Sequence, residues 1–381
     1  MKIENIIYEY REVNHGKLSQ YIIDNESLHK YFKEDWGKVK AKQYCGIINY
    51  NDDDFYILPK IAEDENSDKN LDIFIYMLRY VYDIKIDNED LASSKNTNTN
   101  NLLDIFIQIF AKNLFREFQK GIYKEYITEQ DNLTTLRGKY LINENLKYNF
   151  TKSKIYCEYD EFSEDNELNQ FFLYAIKILM NFTTNTKLLK MCELVLCEVS
   201  YKKLDIKNIN IHFNRLNQRF KNSFEFAMLL LKKSIPLFEK DKKSFAFLFD
   251  MNSLFEKFIG KIYQEIKTDT KLQYTQYFGN LKLIPDIYTD DLIIDVKYKK
   301  AKNKEDLKRD DKYQMFVYGI NFRVNNTMLL YPKHLESIKE DLVLGKDDKM
   351  VVLKMRSIDL DFNGGYDDYI EVMKTKMRSI I

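Results

Sequence analysis

Two short apolar segments near residue 290 carry the side chains of this chain best suited to chemistry. The first is Leu283-Ile284-Pro285-Asp286-Ile287 and the second is Leu292-Ile293-Ile294-Asp295-Val296-Lys297-Tyr298. Side chains two apart on a strand share a face, so Asp295 and Lys297 emerge together while Ile294, Val296 and Tyr298 face the opposite layer. Asp286 follows a proline at the end of the preceding strand, within a short hairpin of Asp295. Two carboxylates beside one lysine make a divalent-metal site with a fixed cation next to it. Hydrolysis of a phosphodiester needs that combination: an activated water, relief of charge on the phosphate and a proton for the leaving oxygen. Magnesium, with manganese as the alternative, takes up phosphate oxygens and lowers the pKa of bound water when carboxylates hold it. Asp286 and Asp295 are the expected ligands, with the main-chain carbonyl of Val296 as a further donor. Lys297 then orients the water or stabilises charge developing on phosphorus.

With 59 acidic and 59 basic residues in 381, about nine acid–x–base triplets arise by chance, so the triplet alone says little. Its setting is what distinguishes it. An otherwise apolar run tolerates a charge pair only with compensation. The competing reading is an edge strand with a surface salt bridge. Downstream, Gln314 and Tyr318 are four apart and share a helix face. Gln314 is placed to hold the lysine or a backbone group, and Tyr318 either to contact a phosphate or base or to pack in the core. Upstream, Glu256 lies beside the inward-facing Phe255 and Phe258 and has no cation three or four residues away. It is expected to support the metal or polarise Lys297, against the plainer reading of a solvated glutamate. Lys299, Lys300, Lys302 and Lys304 form a basic run touching the carboxylates, which suits phosphate contacts.

The elements that must position these groups read as α+β and multidomain. Residues 1–95 show strand character at Ile6 to Tyr10, Gln43 to Tyr50 and Asp54 to Leu58, then a helical stripe from Asn70 to Tyr82. The polar stretch from Ala92 to Asn101 reads as a linker. Residues 102–240 read as helical, with helices at Leu102 to Gln119, Asn166 to Phe182 and Asn222 to Lys233. The second should start in the Ser163/Asp165 region. Residues 245–381 read as a mixed α/β domain: a helix from Asp250 to Ile266, strands at Tyr274 to Tyr277, Lys282 to Asp286 and Leu292 to Lys297, a helix from Lys312 to Asn321, and strands at Thr327 to Tyr331 and Met350 to Met355.

Composition excludes several classes. No run approaches the roughly 20 apolar residues of a membrane span, and the start lacks the apolar core of a signal peptide, so a cytoplasmic location is expected. Cys45, Cys157, Cys192 and Cys197 are scattered, complete no zinc set, and are read as buried thiols. The net charge is +0, which counts against a stand-alone DNA-binding protein. There is no Gly-x4-Gly-Lys-Ser/Thr phosphate loop, so no nucleotide is expected to bind through the chain's own motifs.

The strand–turn–strand arrangement of Pro285-Asp286 and Asp295-Val296-Lys297 resembles the PD-(D/E)xK nucleases. More widely, the chain resembles the McrC family, the endonuclease subunits of McrBC-type (5-methylcytosine-specific) restriction systems. The phrases that carry this are Cys45-Gly46-Ile47-Ile48, Ile57-Leu58-Pro59-Lys60-Ile61, Met77-Leu78-Arg79-Tyr80, Leu136-Arg137-Gly138-Lys139, Tyr159-Asp160-Glu161-Phe162 with the residues up to Asn169, Tyr313-Gln314-Met315 and Leu329-Leu330-Tyr331-Pro332. The resemblance implies a partner, an McrB-like AAA+ ring that hydrolyses GTP or ATP and recognises DNA. It further implies that the N-terminal domain docks on that ring and stimulates it, and that the catalytic residues fall on Asp286, Asp295 and Lys297. Val296 departs from the small residue common at that position. Two other readings are a non-cleaving activator or DNA clamp, and a free-standing RecB-like repair nuclease.

Overall fold

The computed structural model describes residues 5–51, 53–59, 61, 67–84, 102–150, 153–239, 242–299, 301, 303–333 and 337–381. The proposed linker at 92–101 therefore lies outside the described residues, as do Lys300 and Lys302. The chain forms two compact units, Met1–Asp87 with Pro236–Ile381, and Asn88–Ile235. In chain order the elements begin with β1 (Ile6–Tyr8), α1 (Gly16–Asp24), β2 (Phe32–Asp35), β3 (Lys38–Ala41), β4 (Tyr44–Tyr50), β5 (Asp53–Leu58) and α2 (Ser67–Val81). Then come α3 (Leu102–Gln119), β6 (Glu125–Leu133), β7 (Lys139–Tyr140), α4 (Ile142–Tyr148), β8 (Ile155–Ser163), α5 (Glu167–Leu179), α6 (Lys187–Val195) and α7 (Lys221–Lys233). The last part holds β9 (Ser234–Glu239), β10 (Lys242–Asp250), α8 (Met251–Ile266), β11 (Lys271–Leu272), β12 (Gln276–Phe278), β13 (Leu281–Leu283), β14 (Ile287–Tyr288) and β15 (Ile293–Val296). It continues with α9 (Arg309–Phe322), β16 (Asn326–Pro332), β17 (Lys339–Leu344), β18 (Val351–Ile358) and α10 (Tyr366–Ile380).

The first unit contains two larger sheets. One has the order β1-β5-β4-β10-β9. Its central strand β4 carries the near-continuous apolar run Cys45-Gly46-Ile47-Ile48, as a strand covered on both faces requires. β10 pairs with it antiparallel, from Phe245 opposite Asn49 to Asp250 opposite Tyr44. The first and last thirds of the sequence, read separately as 1–95 and 245–381, thus contribute strands to one sheet. Gly46 explains its own presence: φ is +146°, and a Cβ there would stand 2.0 Å from the Phe247 carbonyl oxygen. Gly46→Ala is expected to destabilise the unit by about 3 kcal/mol through overpacking and strain. A calorimetric midpoint within a degree of wild type would refute this.

The other sheet has the order β11-β14-β15-β16-β18-β17. β14 and β15 form an antiparallel hairpin, β15, β16 and β18 run parallel, and β17 returns antiparallel. The crossover from β15 to β16 is α9, the βαβ arrangement that parallel neighbours require. α9 buries Met315 and Tyr318 in a cluster with Ile293, Leu329, Tyr331, Leu353 and Met355. The alternate residues of β15 meet α8, where the Phe255 and Tyr298 rings lie 5.7 Å apart. α8 starts where Asp250 accepts the backbone N–H of Asn252 at 2.9 Å. β17 and α10 were not anticipated from the sequence. β17 alternates exposed and half-buried positions, and α10 starts directly after the turn residues Asn363-Gly364-Gly365, with Gly365 at its N-cap.

The second unit packs α3, α5, α6 and α7 around buried aromatic side chains including Phe106, Phe110, Phe171, Phe172 and Phe220. Beyond the expected helices, with a short hairpin expected around Arg137-Gly138-Lys139, it holds a three-stranded sheet, β6-β8-β7. Nine residue pairs join β6 to β8, yet β6 is mostly exposed. Its sequence, Glu-Tyr-Ile-Thr-Glu-Gln-Asp-Asn-Leu, has no clean apolar alternation to betray a strand. The α5 N-cap is Asn166, which accepts the Asn169 N–H at 3.1 Å, one residue after the expected Ser163/Asp165 start. Cys45, Cys157 and Cys192 are buried, but Cys197 is exposed, because it falls just beyond the end of α6.

Candidate active site

The hairpin of β14 and β15 brings the two aspartates together. Ile287 is paired with Ile294, so Asp286 and Asp295 stand one step further along the same ladder. Asp286 is not the last residue of a long strand, as the sequence suggests. β13 ends at Leu283 and pairs with β12, and Asp286 occupies the bend before β14. Its Oδ2 accepts the Val296 N–H at 2.8 Å. The Val296 backbone thus anchors the first carboxylate, a contact that does not depend on the Val296 side chain.

Asp295 is 2% exposed. Its Oδ2 forms an ion pair with Lys297 Nζ at 2.5 Å, and its Oδ1 accepts Gln314 Nε2 at 3.1 Å. Lys297 Nζ in turn donates to Gln314 Oε1 at 3.2 Å. Gln314 therefore spans both members of the Asp-x-Lys pair from α9. Its amide also donates to the Tyr318 hydroxyl at 3.0 Å, and that hydroxyl donates to the Ile284 carbonyl at 2.9 Å. Tyr318 is buried in the core and ties α9 to the segment that presents Asp286, rather than standing free to meet a phosphate or base.

Glu256 approaches from α8. Gln273 Nε2 donates both to Glu256 Oε1 and, at 2.9 Å, to Asp286 Oδ1. Nothing in the sequence singled out Gln273. The backbone offers the clue: its φ is +49°, an uncommon conformation for a residue with a side chain. Its N–H also donates to the Asp286 carbonyl at 2.9 Å. Among the expected DNA-contacting lysines, Lys299 is engaged by Asp311 and lies 5.9 Å from the Tyr331 ring centroid. Lys304 is exposed in a short turn beside Glu305 and Asp306.

The electrostatics follow from burial. Asp286 is pushed up to about 6 by burial, with Glu256 adding to the rise and the Val296 N–H opposing it. Asp295 is likewise raised to about 6 by burial and by Asp286. Burial raises Glu256 too. Burial works against the charge on Lys297, but Asp295 beside it outweighs that and holds its pKa above the usual lysine value. Carboxyl groups that hold one another above their ordinary range form an acidic donor set that a cation relieves. Among the described residues, no three His, Cys, Asp or Glu side chains close on a single point. The Gln273 amide stands between Glu256 and Asp286, and Lys297 stands on Asp295. The donor types fit a hard divalent cation held by two carboxylates, the arrangement magnesium favours.

Residues 39–332 match the sequence model of the family described as McrBC 5-methylcytosine restriction system component. The chain belongs to this family. Among solved structures it is similar to a chain of the refined half-complex from the tetradecameric assembly of Thermococcus gammatolerans McrB AAA+ hexamers with bound McrC. There the TM-score is 0.67 at 23% identity, covering 99% of each chain. It is also similar to a chain of the Thermococcus gammatolerans McrBC complex, with a TM-score of 0.53 at 27% identity over 68% of this chain and 86% of that one. No curated protein matches it. The McrBC match spans β4, β5 and β10 of the shared sheet and the aspartate–lysine site. Among the described residues no helix is long and apolar enough to cross a membrane.

Proposed function

We propose that this chain is the DNA-cleaving subunit of an McrBC-type restriction complex, a divalent-metal-dependent endonuclease of the PD-(D/E)xK kind that an AAA+ ring supplies with DNA. The observation that carries the reading is the Asp286, Asp295 and Lys297 cluster, with both members of the Asp-x-Lys pair held by Gln314. Asp286 and Asp295 would hold the cation, with Glu256 in support. When bound, that ion supplies charge relief to the phosphate and acidity to a water. Lys297 keeps its charge at neutral pH and is fixed by two partners, so it stabilises charge on the scissile phosphate without reorganising. Gln314 sets the angle of both side chains, and Tyr318 sets Gln314. Gln273 holds Glu256 and Asp286 at one mouth of the site.

The AAA+ partner comes to this chain by its family and by the assembly in which its structural relatives sit. Net neutrality agrees: with a net charge of +0, the chain alone has little overall counterion-release drive toward duplex DNA. The isolated protein is therefore expected to cut plain duplex poorly, and efficient cutting without nucleotide would favour the free-standing repair nuclease. The test of the whole reading is reconstitution with its neighbouring AAA+ protein, nucleotide and magnesium. Cleavage that requires all components and fails in Lys297→Ala supports it.

The carboxyl shifts give a second test with a readout besides cleavage. A carboxyl with a raised folded pKa favours the native state when protonated. Its stability contribution is fully present below the unfolded value near 4 and is lost as pH rises through about 6. A cation binds the deprotonated form, so its affinity grows over the same window and protons are released. Manganese or magnesium is expected to raise the thermal midpoint by several degrees at pH 8 and little at pH 5. Asp286→Asn/Asp295→Asn should remove the increment. An equal rise in that variant would place the cation elsewhere.

A further inference from the structure

The hairpin of β2 and β3 ends in Trp36-Gly37, and Trp36, the chain's one tryptophan, is 98% exposed. Its φ is +52° and that of Gly37 is +74°. Two successive left-handed residues make the tight turn that suits a two-residue hairpin, and Asn or Asp is the usual first member. An indole in that place carries backbone strain without burying its ring, so it gives the fold nothing in return. Behind the tip, Phe32, Val39 and Ala41 are buried. The opposite face sets Lys33 directly across from Lys40, both exposed. Like charges facing one another across a ladder repel, and an anion between them removes the penalty. Lys38 is paired with Glu12 at 3.2 Å, and Lys42 donates to the carbonyls of His29 and Lys30. Among the described residues, no carboxylate engages Lys33 or Lys40.

The root of the hairpin is tied to the segment that carries Lys297, through a side chain on the opposite face of that segment. Tyr10 N–H donates to the Ala41 carbonyl at 3.0 Å, Ala41 N–H to Arg11 at 3.0 Å, and Val13 N–H to Val39 at 2.8 Å. One residue earlier, Glu9 accepts the Tyr298 hydroxyl at 2.6 Å, and Tyr298 directly follows Lys297. Four residue pairs project the tip about 13 Å from that root.

We propose that this hairpin is a DNA-contacting pin. Trp36 stacks on or wedges between bases of the duplex presented to Asp286, Asp295 and Lys297, and Lys33 and Lys40 straddle a backbone phosphate. The inference deepens the nuclease reading and rests on it for the choice of duplex DNA. The paired lysines select an anionic polymer, and the strained aromatic tip selects one that offers faces to stack on.

The single tryptophan is its own reporter. With the full-length protein in chelator at low salt, a duplex oligonucleotide should quench and shift the Trp36 emission, with a midpoint matching the mobility shift. Trp36→Asn should keep or raise the thermal midpoint, because asparagine suits the turn, while weakening duplex affinity about tenfold. Lys33→Glu/Lys40→Glu should weaken binding and reduce the salt slope by about two. Unchanged affinity in Trp36→Asn overturns the proposal. So does emission that responds to the AAA+ partner and not to DNA, which would make the hairpin a protein-docking element. Binding is read without cleavage, so a negative result here leaves the nuclease reading intact. Conversely, undiminished cutting by Lys297→Ala would sink the nuclease reading without touching this measurement.

Discussion

Lys297→Ala is expected to lower DNA cleavage by the reconstituted complex about a thousandfold, and Asp295→Asn by at least as much. Removing the ammonium takes away the cation that is ion-paired with Asp295. It also leaves Asp295, 2% exposed, with only Gln314 as a described partner, so its carboxyl is driven further toward the protonated form that cannot hold a metal. The two losses compound. Gln314→Ala should have a smaller effect, about 10- to 100-fold, because it orients the pair rather than touching the phosphate. The measurement is single-turnover cleavage with partner, nucleotide and magnesium, alongside the partner's nucleotide turnover. That turnover should stay at the wild-type level in all three variants. If Lys297→Ala cuts at near the wild-type rate, the site is misassigned and the chain is better read as an activator or clamp.

The site was legible because its chemistry is local. Asp286, Asp295 and Lys297 sit within twelve residues of one another, and strand alternation alone places the last two on one face. Gln314 and Tyr318 followed from helical spacing, and the structure brings them to the pair. Gln273 was not legible, since its value comes from a left-handed bend that lays its amide between two carboxylates far apart in sequence. α3, with its strong apolar stripe, was readable to the residue, whereas α2, expected from Asn70 to Tyr82, runs Ser67–Val81. The exposed ladder of β6 and β8 was not, because a strand held by backbone pairing with polar side chains on both faces carries little periodic signal. In the basic run, Lys299 is ion-paired with Asp311 and Lys304 is exposed, so the proximity of these lysines to the carboxylates in sequence does not by itself give their contacts. Far away in sequence, and among the described residues, Lys33 and Lys40 face each other with no carboxylate engaging them. The sharing of one sheet by the first and last thirds of the chain was equally hidden, since pairing between β4 and β10 is a relation across about 200 residues of sequence that no local pattern encodes.

That shared sheet decides how docking must be separated from cutting. Deleting residues 1–95 would remove β1, β4 and β5 and bare the edge of β10, whose Phe245, Phe247 and Phe249 are buried in the sheet. It would also remove Glu9 from Tyr298. Such a deletion is expected to aggregate and to tell nothing about docking. Point variants in the full chain avoid this. The second unit exposes an unusual aromatic pair on its sheet: Tyr126 and Phe162 are directly opposite, with ring centroids 5.0 Å apart and exposures of 74% and 55%. Leu146 and Phe150 nearby in sequence are 71% and 92% exposed. We propose this aromatic pair as part of the surface that docks on the ring, since clustered aromatics carry much of the energy of protein interfaces. Tyr126→Asp/Phe162→Asp is therefore expected to keep its thermal midpoint yet lose at least about tenfold in stimulation of the partner's nucleotide turnover, with cleavage falling in parallel. Lys297→Ala should show the reverse pattern, with full stimulation and no cutting. The two variants together would assign docking to the second unit and chemistry to the first. Undiminished stimulation by the aromatic double variant would return docking to the N-terminal segment, where the family resemblance puts it.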